Sequence, residues 1–563
     1  MKILITIAAL QLSLSLSFAA DWSRNAQLPG DDDTFSAEPR TNIYQLPPAE
    51  LEAAILAGRH YVFHYPVEVT ELMIPYKAMV TFFDETPDSR FKRWLYAISK
   101  DLSGFSSTKD VTDWLGIQAF PESRSAEGPG PWPEVHTEER KLGMGATLIN
   151  RDGAEGLTFS CAACHSADLF GKKIIGLTNR FPRANEFFGA GKRFLPFAHP
   201  DVFQELTGAS DAEAEILRRS RYAVRFVGVK KPQVLGLDTS LAQVALSLAR
   251  RGKDEYAKRS ALSAQFPRHN ELENHVADSK PAVWWNVKYK TRWLSDGSIV
   301  AGNPIHTNFL WNEIGRGIDL KELERWLDAN IEKVEQLTAA VFATEAPYYL
   351  DHLPADTLDV ELAKQGQPVF ANTCARCHGE YEKAWDSPAA ALMPLSEQVK
   401  TTRVWYHKKT PVHDVGTDPG RYLGMKYFAE DLNRLKISRT LKTIVEPQKG
   451  YVPPPLVGIW ARWPYFHNNS APNLCAVLTR SSERPVTYIA GPAIDPRIDY
   501  DADCGGYPAA VPENWKGKPE YVYDTRRKGM SNQGHDEGIF LDEGRELLSP
   551  QEKRALVEFL KTL

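Results

Sequence analysis

The chain has 563 residues, enough for three to four domains of about 150 residues each. Its 67 lysines and arginines and 72 aspartates and glutamates give a net charge of -5, which argues against nucleic-acid binding because that requires a basic face. Hydrophobic residues at 43% and charged residues at 25% are typical of a globular protein and exclude a largely disordered chain.

Residues 1–19 have the pattern of a secretory signal peptide. Lys2 precedes an apolar run, and Ser17 and Ala19 put small residues at the −3 and −1 positions of a cleavage site. An uncleaved anchor helix is the alternative, but the run is shorter than the roughly 20 residues of a membrane span. We expect cleavage and an exported protein, periplasmic or secreted, with no membrane span after signal cleavage.

Residues 20–140 precede any motif with recognisable chemistry. The stretch 47–58 begins with two prolines and continues with good helix formers, which predicts a helix. We interpret 20–140 as an N-terminal extension that packs on the domains that follow it.

A first Cys-x-x-Cys-His motif, Cys161-Ala-Ala-Cys164-His165, lies near the start of a predicted domain at 141–345. On one helical turn, the two cysteines and the histidine share a face, since they are spaced three and four residues apart. The later part of this domain has two helical patterns, at 238–251 and 319–342.

A second motif, Cys374-Ala-Arg-Cys377-His378, lies in a predicted domain at 355–563. A short helical run at 361–370 precedes it. At the end of the chain, Ser549-Pro-Gln-Glu552 forms a capping box with proline at N1, which predicts a terminal helix over 549–563. A helix before the motif paired with a terminal helix is typical of a class I cytochrome c domain, although any domain can end in a helix.

The remaining two of the six cysteines, Cys475 and Cys504, lie in a loop-rich stretch. In an exported protein, two leftover cysteines predict a disulfide that closes a loop of about thirty residues. Two free thiols are the alternative.

Cys-x-x-Cys-His is the attachment signature of c-type haem. The cysteines form thioethers with one porphyrin edge, and the histidine is the proximal iron ligand. A Cys₄ zinc site is disfavoured because the two pairs lie far beyond the usual spacing of about 15–20 residues, and neither lies in a βαβ pattern as a thioredoxin-like site requires. The sequence therefore predicts two covalently bound haem c groups. The predicted fold class is mainly α with extensive loops, with two cytochrome c-type haem domains plus the N-terminal extension.

The sixth iron ligand decides whether a haem carries electrons or binds a substrate. There is no methionine between His165 and Met393, so the first haem either takes a second histidine or is open on its distal side. For the second haem, Met425, His467 and His535 all remain possible from the residues alone.

Several segments together resemble the di-haem c-type cytochromes of the rubber oxygenase family, relatives of bacterial di-haem cytochrome c peroxidases. Besides the two motifs, the matching segments are Tyr65-Pro-Val-Glu-Val-Thr70, Pro281-Ala-Val-Trp284-Trp285, Asp296-Gly-Ser, Val415-Gly-Thr-Asp-Pro, Pro455-Leu-Val-Gly-Ile-Trp460, Pro464-Tyr-Phe-His467-Asn-Asn-Ser470, Gly534-His535 and Phe559-Leu-Lys-Thr-Leu563.

The resemblance implies a division of labour between the two haems. His165 becomes the proximal ligand of a haem that leaves its distal side free for dioxygen. His378 and His535 become the axial pair of the second haem. Trp284 or Trp285 matches the tryptophan of an aromatic pocket over the dioxygen, with core packing or an electron path between the haems as alternatives. The family's later phenylalanine has no counterpart in 294–304.

The implied function is a haem-dependent oxidoreductase that uses dioxygen to oxidise an apolar alkene, either a small molecule or a polymer such as polyisoprene. The alternatives are a di-haem cytochrome c peroxidase, which reduces hydrogen peroxide with electrons from a small redox protein, and a plain electron-transfer cytochrome. The mass of 63.2 kDa counts against a plain carrier, which needs far less chain.

Overall fold

The computed structural model describes residues 39–121 and 133–563. The predicted signal peptide and the first part of the predicted extension lie outside the described residues. Within the described residues, no helix is long and apolar enough to cross a membrane.

Helices and irregular chain make up most of the described residues. The α-helices in chain order are α1 (Pro48–Phe63), α2 (Tyr76–Asp84), α3 (Arg90–Ser103), α4 (Thr108–Trp114), α5 (Thr137–Leu142), α6 (Ala162–His165), α7 (Ala184–Phe194), α8 (Pro200–Thr207), α9 (Asp211–Ala223), α10 (Ser240–Ala249), α11 (Ala261–Gln265), α12 (Pro304–Gly315), α13 (Leu320–Phe342), α14 (Val360–Thr373), α15 (Ala375–His378), α16 (Leu395–Lys400), α17 (Gly420–Gly424), α18 (Ala429–Asn433), α19 (Lys436–Thr440), α20 (Leu474–Val477) and α21 (Pro550–Lys561).

The strands are short and all pair antiparallel. They are β1 (Ile74–Pro75), β2 (Ala146–Arg151), β3 (Ala154–Phe159), β4 (Ser166–Leu169), β5 (Lys172–Ile175), β6 (Ile299–Ala301), β7 (Glu380–Lys383), β8 (Thr402–Trp405), β9 (Ile444–Val445), β10 (Thr487–Ile489), β11 (Val522–Asp524), β12 (Leu541–Asp542) and β13 (Arg545–Glu546). Among the described residues the largest sheet has three strands, in the order β1-β3-β2. The structure therefore agrees with a mainly helical, loop-rich fold, while the division into two haem domains remains a prediction.

Two large hydrophobic cores organise the chain, and each contacts one motif. The first core is built mainly from α1, α10, α12 and α13, and Cys161 packs against it. The second core includes residues of α14 and α21 and a cluster of buried aromatic side chains, and Cys374 packs against it. Several residues between 425 and 445 belong to the first core although they follow the second motif in the chain. The two cores are therefore not formed from two separate stretches of sequence.

The helices α14 and α21 cross in close contact beside the second motif. A Cβ placed on Gly366 would lie 2.0 Å from the carbonyl oxygen of Ala555, so this crossing requires glycine. The rings of Phe370 and Phe559 pack nearby with centroids 5.4 Å apart. The predicted helix ahead of the second motif and the predicted terminal helix are both confirmed, including the capping box that begins at Ser549.

Cys475 and Cys504 form a disulfide bond, as predicted, and they are 29 residues apart in the chain. Closing a loop of that length removes about 3–4 kcal/mol of conformational entropy from the unfolded chain. The bond therefore stabilises the irregular region that follows the second motif.

Candidate haem sites

The second motif folds as a single helical turn at the end of α14. The backbone amide of His378 donates to the carbonyl of Cys374 at 3.0 Å, which is the i to i+4 bond of a helix. This turn puts Cys374, Cys377 and His378 on one face. Both cysteines are free thiols, and burial raises the pKa of Cys374 to about 12.

These three side chains line a cavity of about 270 Å³ with a largely apolar wall. His535, from the loop before β12, lines the same cavity although it lies far along the chain. Its backbone amide donates to the carbonyl of Val415 at 2.7 Å, and its φ of 57° is in the left-handed region. The fold therefore brings two histidines from distant segments into one space.

The imidazole rings of His378 and His535 have centroids 6.3 Å apart. Two imidazoles on opposite sides of one metal ion have ring centres roughly 6 Å apart, because each metal–nitrogen bond is about 2 Å and each nitrogen lies about 1 Å from its ring centre. The spacing is thus the one that a shared iron requires.

Both rings are held in the neutral form that binds metal. Burial is the main cause that lowers the pKa of His378 to about 4 and that of His535 to about 3. The Nδ1 of His378 donates to the carbonyl of Pro454 at 2.8 Å, which leaves Nε2 as the available ligand atom. The Nδ1 of His535 is buried without a hydrogen bond.

The other two candidate ligands of the second haem have different surroundings. Met425 is fully buried in the first core and does not line the cavity. His467 lines the cavity, where its ring stacks on Tyr451 with centroids 3.9 Å apart. The structure thus brings His535, and not Met425, to His378.

The residues fit a covalently bound haem. Two free thiols, two neutral opposed imidazoles and an apolar cavity are the donor set and the surroundings that haem c requires.

The first motif folds as a similar turn between β3 and β4. The backbone amide of His165 donates to the carbonyl of Cys161 at 3.1 Å, and Asn179 donates from Nδ2 to the carbonyl of Ala163 at 2.8 Å. Cys161 and Cys164 are free thiols, and burial raises the pKa of each to about 12. These residues do not line the cavity of the second motif.

His165 has a tryptophan beside it. Burial is the main cause that lowers the pKa of His165 to about 4, against the smaller effect of a hydrogen bond to the backbone of Ala282. The ring of Trp284 lies 5.1 Å from the His165 ring, tilted by 32°. A ring on the opposite face of a bound porphyrin would have its centre at least about 6 Å from the centre of the His165 ring. This distance is the sum of the metal–nitrogen bond, the distance from that nitrogen to its ring centre, and a van der Waals contact. Trp284 therefore packs against the His165 ring itself.

Trp285 points away from its neighbour into the second core. Its indole Nε1 donates to the carbonyl of Val457 at 2.8 Å, and its side chain is fully buried. Val457 lies three residues after Pro454, whose carbonyl holds His378. Trp284 thus contacts His165, and its neighbour Trp285 contacts the segment that orients His378.

Two groups of buried polar side chains were not found from the sequence. Tyr65 donates to Glu313 at 2.7 Å, and Arg316 lies 4.3 Å over the Tyr65 ring. This network lies near Cys161, since Arg316 lowers the pKa of that thiol against the larger effect of burial. The other group consists of cationic residues that line the cavity of the second motif. Tyr65 begins one of the segments of the family resemblance, but nothing in the sequence marks Glu313.

One protein family and two known proteins match parts of this chain. Residues 450–489, which hold the carbonyl partner of His378 and also His467, match the family described as RoxA-like, cytochrome c-like. Two uncharacterised proteins of Sinorhizobium fredii are similar to the chain. One, y4iJ, is 28% identical over 259 residues, which is 37% of this chain and 39% of the relative. The other, y4iM, is 27% identical over 300 residues, which is 50% of this chain and 63% of the relative. The chain thus spans less than two thirds of each relative.

The cavity and the family match support a c-type cytochrome with covalently bound haem c. More closely, the match supports a RoxA-like cytochrome and thereby a haem-dependent oxidoreductase.

Proposed function

We propose that this protein is an exported di-haem c-type cytochrome with an oxygenase-type division of labour between its two haems. Cys161, Cys164 and His165 would hold a first haem, which would supply an iron for binding dioxygen, and Cys374, Cys377, His378 and His535 would hold a second haem for electron transfer. The substrate is an apolar alkene, a small molecule or a polymer such as polyisoprene. The difference between the two motif histidines carries the proposal. His378 has an opposed imidazole at 6.3 Å, while His165 has Trp284 packed beside it.

When bound, haem supplies a redox-active iron, which takes up a small molecule where an axial position is open and exchanges electrons where both are filled. The chain's own residues decide which of these applies. Pro454 fixes the tautomer of His378, and burial keeps His535 neutral, so both imidazoles are ready to bind. Two strong neutral ligands on one metal favour electron transfer without substrate binding.

The tryptophan pair supports electron exchange between the two sites. Trp284 contacts the His165 ring, and the Trp285 hydrogen bond to Val457 leads to the segment that orients His378. This arrangement favours an electron path over a role for Trp284 as a cover above the first iron, because Trp284 lies on the ligand side. Trp284 and Trp285 would then provide the route for electrons between the residues that hold the two haems.

The first test is spectroscopic and uses the purified holoprotein. Haem content is measured by the pyridine haemochrome assay, and spin state by electron paramagnetic resonance before and after adding imidazole or cyanide. We expect two haems, of which only one changes its spectrum on adding the ligand. Two low-spin haems that ignore both ligands would contradict an open first haem.

The second test addresses the substrate. Dissolved oxygen is followed with an electrode after adding emulsified polyisoprene, with no reductant and no peroxide. Oxygen uptake with aldehyde or ketone products supports an alkene dioxygenase and makes the missing phenylalanine a tolerated change. No uptake removes polyisoprene as the substrate and leaves the haem assignment to the first test.

A peroxidase is the second candidate, favoured by the buried carboxylate near the first motif. Peroxide reduction needs a polar acid–base group close to the open iron. Glu313 is fully buried, and burial raises its pKa, so it can hold a proton that a surface carboxylate would release. Peroxide turnover with a reduced small cytochrome, lost in Glu313→Gln, would support this candidate over the oxygenase.

A further inference from the structure

The cavity of the second motif has a charge composition that its histidines and cysteines do not explain. Four of the described residues that line it are lysine or arginine, and none of those that line it is aspartate or glutamate. The cationic residues are Lys280, Lys290, Arg376 and Arg462. A cavity wall with cations alone is unfavourable unless an anion enters it, because a buried, unpaired charge is costly.

Three of these cations, Lys280, Lys290 and Arg462, have no carboxylate partner among the described residues. Lys280 donates from Nζ to the carbonyl of Pro464 at 2.5 Å, and Arg462 donates from Nη1 to the carbonyl of Pro455 at 3.0 Å. Lys290 is 7% exposed, and its Nζ has no hydrogen-bond acceptor among the described residues. Hydrogen bonds to carbonyls satisfy donors but leave the positive charge uncompensated.

The pKa values of Lys280, Lys290 and Arg462 are all lowered. Burial is the main cause that lowers the pKa of Lys290 to about 8 and that of Arg462 to about 10, and it holds the pKa of Lys280 well below its usual value. The charge of Arg462 lowers the pKa of both lysines further. Lys280 also donates from Nζ to the carbonyl of Arg462 at 3.2 Å, so these two residues are in contact. The three side chains destabilise one another as long as no negative charge is present.

We propose that Lys280, Lys290 and Arg462 form the binding site for the two propionate carboxylates of the second haem. The inference rests on the proposed function, since it assumes that this cavity holds a haem. A haem carries two carboxylates on the edge of its ring, and it is the one ligand expected in this cavity that brings negative charge. Arg462 offers a planar fork that suits a carboxylate, and each of the two lysines offers a point charge. The three cations would thus bind the edge of the haem that carries the propionates, while the cysteines attach its other edge.

Lys290 is the residue to test, because removing its charge breaks no hydrogen bond among the described residues. The variant is Lys290→Met in the full-length holoprotein. Lys290→Arg keeps the charge, and Lys516→Met removes an exposed lysine that does not line the cavity. The midpoint potential of the bis-histidine haem is measured by spectroelectrochemistry at fixed pH and ionic strength. Reduced-minus-oxidised infrared spectra follow the carboxylate bands.

A cation near the iron favours the ferrous form, which carries one positive charge less than the ferric form. We therefore expect the potential of Lys290→Met to fall and its carboxylate bands to shift. Lys290→Arg and Lys516→Met should keep the potential and the bands of the parent protein. A Lys290→Met protein with the parent's potential and bands would overturn the propionate site.

Arg462→Gln provides a second variant if Lys290→Met does not accumulate as a folded protein, and it is judged by the same two measurements. A parent protein without haem at the second motif would refute the proposed function. A parent protein with both haems, whose potential responds to neither variant, would refute only this inference.

Discussion

Gly366 offers a quantitative test of the contact that positions the second motif. In Gly366→Ala, the new Cβ would lie 2.0 Å from the carbonyl oxygen of Ala555 and 2.9 Å from the Cβ of Phe559. Both distances are far below van der Waals contact, and the nearer atom is backbone, so α14 and α21 must separate. Overpacking of this kind costs about 3 kcal/mol, the upper end of the usual range.

A matched control isolates this clash from the effect of glycine on the helix itself. Gly189 lies within α7, and a Cβ added there meets nothing within 4 Å. Replacing a helical glycine with alanine gains about 1 kcal/mol of helix stability. We therefore expect Gly189→Ala to stabilise by up to about 1 kcal/mol and Gly366→Ala to destabilise by about 2 kcal/mol.

The assay is denaturant unfolding of the holoprotein, followed by far-ultraviolet circular dichroism and by the Soret band. The predicted difference of about 3 kcal/mol between the two variants is roughly a hundredfold in the unfolding constant. The Soret band should report the loss at Gly366 first, because α14 leads directly into Cys374. Equal stability of Gly366→Ala and Gly189→Ala would refute the argument that this crossing requires glycine.

Three further outcomes follow from the structure. His535→Ala should convert the second haem from low spin to high spin, and added imidazole should restore the low-spin spectrum; a spectrum unchanged by the substitution would exclude His535 as a ligand. Replacing both Cys475 and Cys504 with alanine should lower the free energy of unfolding by about 3–4 kcal/mol in oxidising buffer and leave both haem spectra intact. His352 packs against Trp460, and burial lowers its pKa to about 4. As the pH falls below about 6.5, the His352 imidazole therefore binds a proton in the unfolded chain before it does so in the folded protein. This contribution to stability is complete above that pH and is lost as the pH falls toward 4, so His352→Gln should show a shallower fall between these values in chemical unfolding.

Short-range features of the sequence predicted the structure well. The motif turns depend on residues three and four apart, and the terminal helix depends on the capping box at Ser549, so both are local. Helices predicted at 238–251 and 319–342 correspond to Ser240–Ala249 and Leu320–Phe342, with ends that differ by a few residues. The helix predicted at 47–58 continues to Phe63 because the apolar residues beyond Gly58 remain buried.

Long-range features could not be predicted from the residues alone. The side chain spacing in Trp284-Trp285 does not say that one ring joins the first core and the other the second. The choice between Met425 and His535 was equally open, because it depends on how distant loops fold onto the motif. Lys290 looks like an ordinary surface lysine in sequence, and only its burial in a cavity without carboxylates distinguishes it.

The distance along the chain between His378 and His535 has a consequence for biogenesis. If the chain is exported as proposed, Cys374, Cys377 and His378 emerge long before the loop that carries His535. A nascent chain would then offer a haem both cysteines and one histidine before His535 is available. Binding of His535 would therefore be a late step of maturation, which a chain that ends before this residue cannot complete.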